Sequence, residues 1–318
     1  MKQAEINQLV QAVAKELGLS GDASAPAGRG EVQDITWRMP VVTDRGIKGD
    51  GSPAPSVPRI ERAQTVSTEV AKAVRVADFV DHTLLKAEVT RGEIEKLCQE
   101  ALEYEFAAVC VNGSWVQLCA EMLRDSNVKV ATVVGFPLGA MTTSAKANET
   151  AELIEQGADE IDMVSAVGRV IEGDWDYVED DIKAVVRAAQ GRTVKVILET
   201  AALEPLQIVK AAAISKEAGA HFVKTSTGFH PAGGATPEAV ALMRLAVGDS
   251  LGVKAAGGVR DCATALRVIA AGANRIGTSS GVSFVECLGP GPMPLADLLD
   301  NVDRHELSCR MGECPAVY

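Results

Sequence analysis

Two lysines and an aspartate share an unusual setting in this chain. Asp162 lies between Ile161 and Met163, Lys224 between Val223 and Thr225, and Lys254 between Val253 and Ala255. In an extended strand successive side chains point to opposite faces. If the flanking residues pack on helices, all three charged residues turn to the other face, where an isolated charge must be paired or shift its pKa. An ordinary lysine titrates at about 10.4, so roughly one in two thousand is neutral at pH 7, and an ammonium cannot attack a carbonyl. Burial and a neighbouring cation, Lys254, would depress Lys224, while Lys254 stays charged by pairing with Asp162. Each residue alone has a plainer explanation: a lysine can snorkel from a strand end, and a lone aspartate can satisfy backbone donors. The shared phase of all three is harder to explain that way.

A second set of residues could hold an anion. Thr227-Gly228, Gly257-Gly258, and Gly277 with Ser279-Ser280 each stand in the closing part of one of the late β-branched runs, where a loop after the strand is expected. Glycines let backbone N–H groups approach a phosphate, hydroxyls add donors, and the helix N-termini that follow add positive dipole ends. The competing reading is that these glycines only serve tight turns.

The elements that must position these residues are eight β-branched runs alternating with helical periodicity: Val76–Leu85, Ala107–Asn112, Lys129–Pro137, Glu160–Ser165, Val194–Thr200, Phe222–Gly228, Val253–Val259 and Arg275–Ser280. The intervening segments carry apolar stripes such as Ile94, Leu97, Cys98, Ala101 and Leu102, and a helix start at Thr236-Pro237 with Glu238. Eight βα units predict an α/β fold, a (β/α)8 TIM barrel over 74–288, with its chemistry at the strand C-termini. An open doubly wound sheet is the competitor, but no dinucleotide fingerprint is present. Around the barrel, Ile6, Leu9, Val10, Val13 and Leu17 predict an amphipathic helix over 1–19. Residues 20–73 form a Gly/Pro/Ala/Ser-rich linker and lead-in, in which Ile35–Val42 could be a docking strand despite Pro40, and 289–318 form a C-terminal tail.

Composition removes several classes. The 31 Lys+Arg against 43 Asp+Glu give −12 with no basic block, so nucleic acid has no electrostatic footprint. No apolar run reaches the ~18 residues of a membrane span, and the N-terminus lacks a signal-peptide core, which predicts a cytoplasmic protein with no membrane partner. Seven cysteines without a CxxC pair argue against a disulfide framework or structural zinc, and the four histidines (82, 221, 230, 305) form no ligand pattern.

DHTLL at 81–85, CVN at 110–112, GFPLG at 135–139, ADEIDMV at 158–164, FVKTSTGF at 222–229 and VKAAGGVR at 253–260 resemble the deoxyribose-phosphate aldolases over about residues 70–288. The resemblance implies reversible cleavage of 2-deoxy-D-ribose 5-phosphate to acetaldehyde and D-glyceraldehyde 3-phosphate. It implies Lys224 as the Schiff-base lysine, Lys254 as the lysine that tunes it, and Asp162 as the carboxylate that handles protons. The iminium is then the electron sink, so neither metal nor cofactor is needed. Asp81, Thr83, Cys110 and Thr227 become substrate-contacting candidates, and Gly228, Gly257, Gly258, Gly277, Ser279 and Ser280 phosphate-binding ones. Cys110 is equally a small core residue, and Asp81 and His82 equally structural. Some relatives end in a tyrosine that assists proton transfer, which makes Tyr318 a candidate, although a terminal aromatic can equally be idle. The extension at 1–19 is similar to encapsulation peptides that bind bacterial microcompartment shells, where volatile acetaldehyde would be retained; an oligomerisation arm is the alternative. A homo-oligomer, with a dimer favoured, is expected. Two other readings stay open: a class I aldolase or transaldolase for a different sugar phosphate, and a non-catalytic scaffold.

Overall fold

The structure is a computed structural model that describes residues 73–299. The N-terminal helix expected over 1–19, the docking strand at 35–42 and Tyr318 lie outside the described residues. A two-residue strand, β1 (Ala73–Val74), precedes eight strands that close into a parallel barrel. These are β2 (Val80–Leu84), β3 (Ala108–Val111), β4 (Lys129–Val134), β5 (Glu160–Val164), β6 (Thr193–Ile197), β7 (Phe222–Lys224), β8 (Gly252–Ala256) and β9 (Arg275–Thr278). Helices α1 (Arg91–Glu103), α2 (Val116–Leu123), α3 (Thr143–Glu155), α4 (Val167–Glu172), α5 (Trp175–Ala188), α6 (Pro205–Glu217), α7 (Pro237–Val247), α8 (Cys262–Ala270) and α9 (Gly281–Leu288) fill the connections.

Each β-branched run supplies one strand, and the runs extend past the strand ends into the loops above. The first run differs. Val76–Phe79 form a 3₁₀ turn, because the Asp78 carboxylate accepts from the Arg75 backbone N–H at 3.0 Å and caps it, so the strand starts only at Val80. Local chemistry also sets the helix starts: Thr236 accepts from Ala239 N at 3.1 Å with Pro237 in the first turn, as expected, and Thr90 and Glu93 form a capping box on α1. Along α1, Ile94, Leu97, Cys98 and Ala101 are buried, but Leu102, counted in the same stripe, is 40% exposed. It stands at the edge of the apolar face that those four residues form.

Outward-facing strand residues such as Val109, Ile161, Met163, Val196 and Val223 join the helices in the main core. The barrel interior is divided. Leu85, Ala108, Cys110, Ala131 and Val133, backed by Phe136, make an apolar wall at β3 and β4, whereas β5 to β8 turn the buried charged residues Glu160, Asp162, Lys195, Lys224 and Lys254 inward. Residues 289–299, expected to begin a tail, return to the barrel. Strand β10 (Met293–Pro294) pairs antiparallel with β1, and helix α10 (Leu295–Leu299) buries Leu298. Among the described residues no helix is long and apolar enough to cross a membrane.

Candidate active site

Asp162 sits at the centre of a buried ionic cluster. Its Oδ2 accepts from Lys224 Nζ at 2.7 Å and from Lys254 Nζ at 2.8 Å, and its Oδ1 accepts from Lys195 Nζ at 2.7 Å. Lys254 also donates to Asp81 Oδ2, and Arg275 donates to Asp81 Oδ1. Glu160 completes the set, 2.6 Å from Lys195 Nζ as an ion pair without hydrogen-bond alignment, and 3.4 Å from Arg275. Strand register makes these contacts: Asp162 lies opposite Lys195, Lys224 opposite Lys254, and Lys254 opposite Arg275. The three residues expected to share a face therefore meet.

Sequence reasoning missed Lys195, Glu160 and Arg275. The signal was present: Lys195 lies between Val194 and Val196, Glu160 is two residues from Asp162 on the same face, and Arg275 shares a face with Gly277. They change the electrostatics decisively. The cluster holds four cations (Lys195, Lys224, Lys254, Arg275) and three carboxylates (Asp81, Glu160, Asp162), so one positive charge is in surplus. In a low-dielectric interior the surplus proton is the one least retained.

The direction of each shift identifies the residue concerned. Burial and the Lys254 charge together outweigh Asp162 at Lys224 and push its pKa down. Burial also opposes the charge on Lys254, but Asp162 and Asp81 outweigh it and its pKa rises; Lys195 and Arg275 rise for the same kind of reason. Asp162 resists burial because three lysines hold it well below the usual carboxylate range, and Lys254, Arg275 and Lys195 do the same for Asp81. Lys224 is the only one of the four cations whose pKa falls.

The other candidates distribute as follows. Asp81 accepts from Lys254 on one oxygen and from Arg275 on the other, which makes it part of the ionic cluster. Thr83 donates its hydroxyl to the Asp81 carbonyl at 2.7 Å. Cys110 is fully buried in the apolar wall, and burial pushes its thiol pKa up. His82 faces away from the site, with Nε2 2.7 Å from Glu100 on α1, and is structural. Thr227 gives its hydroxyl proton to Glu199 at 2.5 Å and accepts from Phe229 N at 3.1 Å, which leaves that proton unavailable to a substrate. Gly228, Gly257 and Gly258 all have left-handed φ values, +85°, +85° and +81°, in the loops after β7 and β8. Ser279 is exposed, and Ser280, with a buried unpartnered hydroxyl, opens α9. Gly277, expected in the loop after the last strand, instead lies within β9. A Cβ there would come 3.1 Å from Lys254 Cε and 3.0 Å from Ala256 Cβ, so the glycine makes room for the lysine. An open cleft of about 410 Å³ between the segments after β4 and β5 is lined by Leu138, Met141, Arg169 and Tyr177 among others, and by none of the ionic cluster.

A lysine-rich ionic cluster enclosed by a closed (β/α)8 barrel, with glycine turns at the strand C-termini, defines a class I aldolase, a carbon–carbon lyase. Residues 75–284 match the model of the DeoC/LacD family aldolases, and the chain belongs to that family. It is 57% identical over 212 residues to the deoxyribose-phosphate aldolase of Geobacillus sp. (strain WCH70), covering 66% of this chain and 95% of the relative. Its fold is similar to that of a putative deoxyribose-phosphate aldolase from Coccidioides immitis (TM-score 0.65, 38% identity, covering 68% of this chain and 87% of the other). It is also similar to the deoxyribose phosphate aldolase from Aeropyrum pernix, described as having a unique tetrameric structure (TM-score 0.62, 33% identity, covering 66% and 89%).

Proposed function

We propose that the chain catalyses the reversible cleavage of 2-deoxy-D-ribose 5-phosphate to acetaldehyde and D-glyceraldehyde 3-phosphate through a Schiff base on Lys224. The observation that carries this reading is the surplus cation: Lys224 shares Asp162 Oδ2 with Lys254 and has a lowered pKa. Its neutral amine attacks C1 of the open-chain sugar, and loss of water gives the iminium. A base then removes the C3 hydroxyl proton. The C2–C3 bonding pair moves into the iminium, leaving an enamine and releasing glyceraldehyde 3-phosphate. Protonation at C2 and addition of water release acetaldehyde and regenerate the amine. Lys254, held charged by Asp162 and Asp81, suppresses protonation of Lys224, and we assign to it the protonation of the departing hydroxyl. Asp162 is too weak a base to take the C3 proton unaided, so we assign it to orienting the lysines and the water that carries protons between C3 and C2. The backbone of Gly228, Gly257 and Gly258, with Ser279 and Ser280, is assigned to the phosphate.

Borohydride trapping followed by peptide mass spectrometry tests the assignment. A substrate-dependent adduct on Lys224 is expected, absent in Lys224→Arg; trapping only with another sugar phosphate would favour a different class I aldolase or transaldolase. We also propose that residues 1–19 direct the enzyme to a microcompartment shell, on the strength of the Ile6, Leu9, Val10, Val13, Leu17 stripe. Residues 1–30 fused to a fluorescent protein should give shell-dependent puncta, and diffuse signal beside assembled shells would sink that idea. A dimer is the assembly we favour, to be read by light scattering.

A further inference from the structure

Glu199 follows β6 and is the only buried non-glycine residue with a left-handed backbone among the described residues, at φ 60° and ψ 57° and 3% exposure. The other two, Glu105 and Gln190, are exposed. A conformation this unfavourable for a side-chain-bearing residue persists only where the surroundings enforce it. Here it turns the carboxyl group onto the back of the loop after β7. Thr227 N donates to both carboxyl oxygens at 3.3 Å and Thr227 Oγ1 donates to Oε2 at 2.5 Å. Thr200 N donates to Thr225 O at 2.9 Å, tying the two backbones together just beyond the strands. No cation pairs with this buried acid among the described residues, and the hydrogen bonds its carboxylate accepts among them all come from Thr227.

The turn is also clamped from the other side. A Cβ on Gly257 would come 3.1 Å from Gly228 Cα and 3.2 Å from Gly234 Cα, and one on Gly234 would come 2.1 Å from Gly257 O, which accepts from Ala235 N at 2.9 Å. Gly228 therefore stands between a carboxyl latch behind and a glycine contact beside it. Gly228 itself is exposed, and its N–H has no acceptor among the described residues.

We infer that Glu199 is a positioning residue for phosphate recognition, holding Thr227 so that the Gly228 N–H faces the phosphate of the substrate. The inference rests on the sugar-phosphate reading above for its substrate, though not for its first test. Isothermal titration with inorganic phosphate should show affinity about tenfold weaker in Glu199→Ala, the worth of a lost hydrogen bond to an anchoring acid. Glu199→Gln, whose amide oxygen still accepts from Thr227, should stay within about threefold. Glu199→Ala and Thr227→Val should be non-additive, since each breaks one latch. In turnover, Glu199→Ala should raise KM for 2-deoxyribose 5-phosphate with kcat held, and leave unphosphorylated 2-deoxyribose unaffected. Should Glu199→Ala not fold, Glu199→Asp withdraws the oxygens and carries the same expectation. Unchanged phosphate affinity, additive variants, or equal losses on both sugars would overturn the inference. A wild-type protein that binds phosphate in this Glu199-dependent way but does not cleave 2-deoxyribose 5-phosphate would overturn the substrate and leave the latch standing.

Discussion

Lys224, Lys254 and Lys195 are chemically identical side chains in one ionic cluster, and only their partners separate them. Lys195 and Lys254 each meet two or more carboxylates, whereas Lys224 meets Asp162 alone, on an oxygen already shared. Removing Lys254 should therefore act on Lys224 twice, by deleting a repelling charge and by freeing Asp162 to bind the remaining lysine more tightly. For Lys254→Leu we expect the acid limb of the pH profile of borohydride trapping to move to higher pH, since more Lys224 is then protonated at a given pH. A limb that stays in place would separate the two lysines. Lys195→Met should leave Glu160 and Asp162 short of a cation and lower stability by about 3–5 kcal/mol in urea unfolding, the usual cost of breaking a buried ion pair from one side.

At the scale of elements, the interior tolerates charge because the strands bring glycine to the one place where Lys254 needs space. Gly277→Ala puts a methyl 3.1 Å from Lys254 Cε in a strand whose backbone accepts alanine, so the fold should persist while kcat falls by more than about tenfold. Circular dichroism beside steady-state kinetics would distinguish this from unfolding. Gly92→Ala on α1 is the contrast. Nothing lies within 4 Å of a Cβ there, so it should stabilise the protein by about 0.5 kcal/mol and leave kcat alone.

For the whole molecule, the same cluster shapes the response to acid. Asp81 and Asp162 titrate below their ordinary value of about 3.9, so their contribution to stability is complete above that pH and is lost as pH falls through their lowered folded values. His82 has its pKa lowered by burial, against the pull of Glu100, so its contribution is complete above about 6.5 and declines below it. Urea midpoints should thus be flat near neutrality, fall gently below about pH 6.5 and steeply below about pH 4. His82→Gln should remove the first step only. The family match begins at residue 75 and β1 at Ala73, so a chain lacking residues 1–70 should keep turnover within about twofold, as measured by glyceraldehyde 3-phosphate release.

The sequence by itself determined the eight strands and the phase of their side chains, because alternation is a local property of extended backbone. That is why Asp162, Lys224 and Lys254 were legible as inward-facing, and why Lys195, Glu160 and Arg275 could have been. Pairing was not legible. Asp162 lies 62 residues from Lys224 and 92 from Lys254, and Asp81 lies 173 from Lys254, so only closure of the barrel and its register bring them to one point. The same holds for Thr227, read as a substrate contact until a glutamate 28 residues earlier claims its hydroxyl. Local steric rules set which way a side chain points, but the surplus charge on Lys224 is a sum over seven residues from six strands, and only the tertiary structure performs it.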